Sequence, residues 1–179
     1  PPRGRHSRAA RAHGAPAAPR AGLANRGALT ERSAVAFEPA SEGEPRHEGL
    51  LIVDVDDFKD GNDTLGHEGG DALLIQLAGR LRACVRSGDL AARLGGDEFM
   101  VVSPMATQPA SAQRLCDRLS EVLRAPVCID EYEIAGSFTI GASVDPRDGA
   151  EVDTLVANAE AALSRAKSGG SGTTRFFDH

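Results

Sequence analysis

The stretch Leu50-Leu51-Ile52-Val53-Asp54-Val55-Asp56-Asp57-Phe58-Lys59-Asp60-Gly61, continuing as Asn62-Asp63-Thr64-Leu65-Gly66-His67-Glu68-Gly69-Gly70-Asp71, sets the reading of this chain. Four apolar residues in a row, with polar residues on either side, predict a short buried strand. The run breaks into acid at Asp54, which places a carboxylate at the strand's carboxyl end, where α/β sheets gather ligand sites. If the strand continues, Asp56 shares the face of Asp54 through two-residue alternation. The glycines at 61, 66, 69 and 70 predict a loop, after which Leu74, Leu77, Ala78, Leu81 and Val85 recur at helical spacing.

Further along, 90–94 and 99–102 predict two strands joined at Gly95-Gly96 as a hairpin. Leu115, Leu119, Val122 and Leu123 predict a second helix that Pro126 stops. Short strands are predicted over 127–129, 132–134 and 138–144. A third helix carries Leu155, Ala159, Ala162, Leu163 and Ala166 and ends at Gly169-Gly170, and 173–177 reads as a last strand. On the N-terminal side, Leu23, Leu29, Val35 and Phe37 have a loose helical spacing, and 41–48 is a polar loop. The order strand, helix, strand, strand, helix, strand, helix, strand predicts an α/β (α+β) layer, with helices packed on a mixed sheet and no internal repeat.

Composition narrows the function classes. The chain has 179 residues, enough for one well-buried domain. No apolar run reaches the roughly 18 residues of a membrane span. No signal-peptide pattern is visible and the chain opens on Pro1, so it is expected to begin inside a longer protein. Cys84, Cys116 and Cys128 lie among apolar residues and read as reduced core thiols of a cytoplasmic protein, neither a disulfide set nor a zinc site. The sequon at Asn62 is then incidental. Residues 1–21 carry five Arg and no acid, +5 against −11 for the remainder. Such Ala-, Pro-, Gly-rich sequence cannot fill a core and reads as a disordered basic linker ahead of a domain over 22–179. An acidic body argues against nucleic-acid binding.

The hairpin supplies a second acidic pair, Asp97-Glu98. If its strands neighbour the first, Asp54 and Asp97 converge and repel unless neutralised. A hard, oxygen-seeking cation, Mg²⁺ with Mn²⁺ as the alternative, is the natural partner. Lys59 adds a cation for phosphate, so the cluster suits phosphoryl transfer. Taken singly, each acid is more simply a solvated loop residue. An EF-hand is excluded because Phe58 and Leu65 fall at ligand positions, and no Gly-Lys-Ser/Thr follows the glycines at 169–172.

These residues together resemble the GGDEF family of diguanylate cyclases. Gly95-Gly96-Asp97-Glu98-Phe99 is its signature, preceded by Arg93-Leu94, and 54–71 matches its D-x-D-x-F-K-x-x-N-D-x-x-G-H-x-x-G-D run at every fixed position. Gly22-Leu23-Ala24-Asn25-Arg26 resembles the early G-L-x-N-R element and Ala166-Lys167 the late A-K, so the likeness spans about 22–175.

The resemblance implies a palm-like mixed sheet flanked by helices, related to class III nucleotide cyclases, and condensation of two GTP into cyclic di-GMP with release of two pyrophosphates. It assigns the metal to Asp54, Asp97 and the Val55 carbonyl, and the guanine to Asn62 and Asp71. Phosphates fall to Lys59, Lys167 and the Asp57–Phe58 amides, with Gly95 and Gly96 lining the nucleotide. Glu98 would activate or position the attacking 3′-hydroxyl. Each domain holds one GTP, so activity implies a homodimer, set by an upstream sensory or dimerisation domain; a membrane anchor in the full-length protein is compatible with this. Arg86-Ser87-Gly88-Asp89 matches the family's R-x-x-D product-inhibition motif, with Arg118 as an added arginine from a neighbouring domain and Arg114 as the alternative.

Two elements depart from the pattern. The family's D-x-L-T, before G-L-x-N-R, is here Ala18-Pro19-Arg20-Ala21, and a basic residue usual four after the late lysine is Ser171. A lost charge-assisted phosphate contact costs on the order of 1.5–3 kcal/mol; Arg165 and Arg175 are the candidates to replace it. Ser164 stands where Tyr is common, a packing change. The competing expectation is therefore a receptor module that binds cyclic di-GMP or GTP with little turnover.

Overall fold

The computed structural model describes residues 24–25, 48–104 and 109–178. The expected linker over 1–21, the departures at Ala18 and Arg20, and most of the loose helical pattern before residue 48 lie outside them. Its elements are strands β1 (Ala24–Asn25), β2 (Glu48–Val55), β3 (Leu90–Gly95), β4 (Glu98–Pro104), β5 (Val127–Ile129), β6 (Tyr132–Ile134), β7 (Phe138–Val144) and β8 (Thr174–Phe176). The helices are α1 (Phe58–Cys84), α2 (Pro109–Arg124) and α3 (Val152–Ser168).

Six strands form one mixed sheet in the order β1-β3-β4-β2-β7-β8, and β5-β6 is a separate hairpin. The four inner strands pair antiparallel, while the two outer pairs, β1 with β3 and β7 with β8, are parallel. Ala24 and Asn25 therefore sit in a strand against Ala92 and Arg93, where helical spacing had been expected. Central β2 is buried along its whole length, and its side chains alternate between two layers. Leu51 and Val53 join Leu74, Leu77 and Leu81 of α1 and Leu119 and Leu123 of α2. Leu50 and Ile52 face the other way, onto Leu155, Ala159 and Leu163 of α3. Asp54, in step with Leu50 and Ile52, therefore emerges on the α3 side.

Helix α3 lies close on the sheet because β7 carries Gly141 beneath it. A Cβ there would fall 2.2 Å from the Ala159 carbonyl oxygen and 2.4 Å from the Leu163 nitrogen. The Gly-rich segment after Lys59 is a correction to the expected loop: it is helical from Phe58 onward, broken only at Gly66 (φ 73°, ψ 169°). Packing of Leu73, Leu74 and Leu77 outweighs the roughly 1 kcal/mol per glycine that helix formation costs.

The thiols also need correcting. Cys116 is buried and Cys84 half-buried, but Cys128 is exposed, because β5 turns Val127 and Ile129 inward and the residue between them outward. Among the described residues, no helix is long and apolar enough to cross a membrane.

Candidate active site

Antiparallel pairing of β2 with β4 places Asp54 directly opposite Glu98, and the Val55 amide donates to the Asp97 carbonyl at 3.2 Å. Strand register thus sets Glu98 opposite Asp54, and Asp97, the residue before it, is near enough for its charge to act on Asp54. The connecting turn holds Gly96 at φ 52°. Arg93 braces it by donating from Nε and Nη2 to the Gly96 carbonyl at 3.0 and 2.6 Å.

Asp54 is 3% exposed, and Lys167 Nζ from the last turn of α3 lies 2.7 Å from its Oδ2. Burial raises Asp54 above the ordinary carboxylate value; the Lys167 hydrogen bond and charge oppose this, and Asp97 and Asp56 add to it. Glu98 is raised as well, by burial first and then by the charges of Asp54 and Asp97. Burial alone would lower Lys167, but its bond to Asp54 and the neighbouring acids outweigh that and raise it, so the ammonium stays charged.

No group of three His, Cys, Asp or Glu side chains among the described residues could hold a metal ion. The donors present are all oxygen, and Asp54 and Glu98 are raised first by burial and then by neighbouring acids, as carboxylates short of a full counter-charge are. Two carboxylates with a backbone carbonyl fit a hard cation of the Mg²⁺ type, which usually completes its shell with water and substrate phosphate.

Beside the acids, Asp57 adopts a left-handed conformation (φ 54°) and opens α1, whose first-turn N–H groups have no intrahelical acceptor. Lys59 is exposed on that turn. Asn62 and Asp71 lie on the two sides of the Gly66 break. The Asn62 amide rests against Gly70, the residue before Asp71, where a Cβ would fall 1.7 Å from its Oδ1, so the missing side chain leaves room for Asn62.

The R-x-x-D motif lies at the opposite end of the sheet. Asp89 accepts from the Arg86 amide at 2.7 Å and from Ser103 Oγ at 2.5 Å. A cavity of about 340 Å³ is lined by Arg86, Asp89, Ser103, Ser111, Arg114 and Arg118, among others. Arg114 donates to Ser111 Oγ at 2.9 Å, and the buried Nε of Arg118 has no partner. Both arginines line the same cavity as Arg86 and Asp89.

Of the candidates to replace the missing cation at Ser171, Arg165 is engaged elsewhere: Nη1 donates to the Asp178 carbonyl at 2.7 Å and the guanidinium stacks on Phe177. Arg175 lies against Gly169 at the end of α3. Sequence reasoning missed Arg124, whose Nη2 donates to the Gly172 carbonyl at 2.5 Å, and Ser103, which orients Asp89. No local pattern marks either, because both meet partners distant in sequence.

Comparison with known proteins bears on this arrangement. The family model "Diguanylate cyclase, GGDEF domain" matches residues 19–173. An uncharacterised signalling protein of Caulobacter vibrioides is 45% identical over 157 residues, covering 87% of this chain and 19% of that protein. The bifunctional diguanylate cyclase/cyclic di-GMP phosphodiesterase MucR of Pseudomonas aeruginosa is 40% identical over 156 residues, covering 87% and 22%. The chain thus spans about a fifth of the length of these curated relatives. The crystal structure of the GGDEF domain of TpbB (YfiN) from Pseudomonas aeruginosa superposes with a TM-score of 0.83 at 34% identity, covering 89% of this chain and 99% of that one.

Proposed function

Because the chain belongs to the GGDEF family, whose domains share a palm-like sheet flanked by helices, we propose that it is a diguanylate cyclase, condensing two GTP into cyclic di-GMP and two pyrophosphates. The observation that carries this reading is the buried Asp54 facing Glu98 across the β2–β4 register, with Lys167 against it. Lys167, together with a divalent cation that the acids would hold, would oppose the negative charge that a phosphoryl transfer develops. Asn62 and Asp71 read the guanine edge. Lys59, Lys167 and the Asp57–Phe58 amides hold phosphates, with Gly95 and Gly96 lining the nucleotide. Glu98, raised by burial and its acidic neighbours, suits removal of the proton from the attacking 3′-hydroxyl. The 3′-oxygen then bonds the α-phosphorus of the facing GTP while the bond to pyrophosphate breaks. Mg²⁺, or Mn²⁺ in its place, would be held by Asp54, Asp97 and the Val55 carbonyl and would supply charge neutralisation to the phosphates.

One domain binds one GTP, so the active species is a homodimer, with residues 22–179 as the catalytic domain and 1–21 as the link to an upstream sensory or dimerisation domain in a cytoplasmic setting. The cavity holding Arg86, Asp89, Arg118 and Arg114 is the product-inhibition site: fork-like guanidiniums suit phosphate, and the unpartnered Arg118 Nε is a donor that a ligand would satisfy. The same cavity favours the second reading, a receptor module for cyclic di-GMP. Turnover of GTP with Mg²⁺, after bound product is stripped, separates the two. The cyclase predicts cyclic di-GMP formation whose rate per molecule falls on dilution, loss of about 10²-fold or more in Asp97→Ala, and relief of product inhibition in Arg86→Ala. Tight product binding without turnover would establish the receptor, and turnover surviving in Asp97→Ala would overturn the metal assignment.

A further inference from the structure

Asp56 stands two residues beyond Asp54 on the same face of the chain, yet its carboxylate is directed at a different task. Oδ2 accepts from Ser137 Oγ at 2.6 Å and from the Gly172 amide at 2.9 Å, and Oδ1 accepts from Thr139 Oγ1 at 2.6 Å. The Gly172 amide also reaches Thr139 Oγ1 at 3.0 Å, and the Asp56 amide donates to the Ser137 carbonyl at 3.0 Å. One side chain therefore ties together the exit of β2, the start of β7 and the segment that follows α3. Gly172 is held from its other side by Arg124, at the end of α2, through its carbonyl. Its backbone is left-handed (φ 78°), and a Cβ there would press to 3.0 Å from Ser137 Oγ, one of the donors to Asp56.

What this clamp fixes is the last turn of α3. Lys167 is the penultimate residue of the helix, and helix ends fray unless the chain beyond them is tied down. With the exit pinned at Gly172, Lys167 keeps its 2.7 Å contact with Asp54. The pinning matters more in this chain because Ser171 brings no cation of its own, which leaves Lys167 as the one charged side chain between 166 and 174.

We propose that Asp56 is a positioning residue: by fastening Gly172 it holds Lys167 in the place where the GTP phosphates bind. The proposal rests on the reading of this site as a GTP site. It differs from a metal-ligand role for Asp56, whose carboxylate oxygens already face three donors.

The test uses the full chain with Asp56→Asn, which keeps the shape but turns an amide donor toward groups that themselves donate. Three results are expected. Exchange of the Gly172 amide, followed by NMR, speeds up by about tenfold or more while the midpoint of global unfolding stays within a few degrees. KM for GTP rises about tenfold, equivalent to ~1.4 kcal/mol, with kcat within about threefold. The double variant Asp56→Asn/Lys167→Ala binds GTP no worse than Lys167→Ala alone, since the two act in series. Unchanged exchange and KM would overturn the proposal, as would independent, multiplying effects in the double variant. If Asp56→Asn does not fold, Ser137→Ala removes a single bond at an exposed position, and about threefold in KM is expected; no change would overturn the proposal. A wild-type chain that binds no GTP would sink the parent reading and the nucleotide role of Asp56 together. A wild type that binds GTP no better than Asp56→Asn does would sink the proposal alone.

Discussion

A carboxylate that is 3% exposed is kept company by one ammonium whose own side chain is 43% exposed: this is the state of Asp54 and Lys167. Raised carboxylates favour folding while protonated. The contribution of Asp54 and Glu98 is thus fully present below their ordinary values and is lost as pH rises through the raised ones. At neutral pH the fold carries Asp54 as a cost. Asp54→Asn leaves Lys167 free to reach water, so no buried charge is stranded. With metal chelated, the variant is expected to be more stable by about 1 kcal/mol, or about 2–4 °C in the melting midpoint, while losing turnover. The gain should shrink as pH is lowered and the wild-type carboxyl protonates, which thermal melts across pH will check. At this scale the sequence was informative about Asp54, Asp97 and Glu98, since strand ends and a Gly-Gly turn are local signals. It was silent on the task of Asp56: Ser137, Thr139 and Gly172 reach it from 81, 83 and 116 residues away.

Elements carry the next level of constraint. Helix α3 sits where Gly141 lets it, and the last turn of α3 sets where Lys167 can reach. Gly141→Ala would drive a methyl into the Ala159 carbonyl and the Leu163 amide, backbone atoms that cannot rotate away. Destabilisation of about 1–3 kcal/mol is expected, together with weaker GTP binding as α3 lifts; denaturant melts and GTP titration measure the two. Leucine spacing made the three helices of the described residues legible in outline, because each buries one stripe. The start of α1 was not, since Gly61, Gly69 and Gly70 signal a loop and only the packed structure shows that Gly66 alone breaks the helix. Likewise β5 is too short for its alternation to reveal which way Cys128 points.

Over the molecule as a whole, helices α1 and α2 cover one side of the sheet and α3 the other, so solvent reaches the centre only when the layers part. Burial pushes the Cys116 thiol up to about 12, while Cys128 is exposed. A thiol reagent at neutral pH is expected to modify Cys128 within minutes. Cys116 is expected to react only at the rate of global opening, a difference that mass spectrometry under increasing urea would record.

The same layered frame separates two sites. Asp54 pairs with Glu98 at one end of β2 and Glu48 pairs with Pro104 at the other, so six residues of strand, roughly 20 Å, divide the acidic centre from the arginine-lined cavity. Neither end supplies a side chain to the other. On the proposed reading, inheritance can therefore treat them as separate assets: a lineage can erase the acids and keep the arginine-lined cavity, or erase the cavity and keep the acids, and the central strand that both lean on survives either loss.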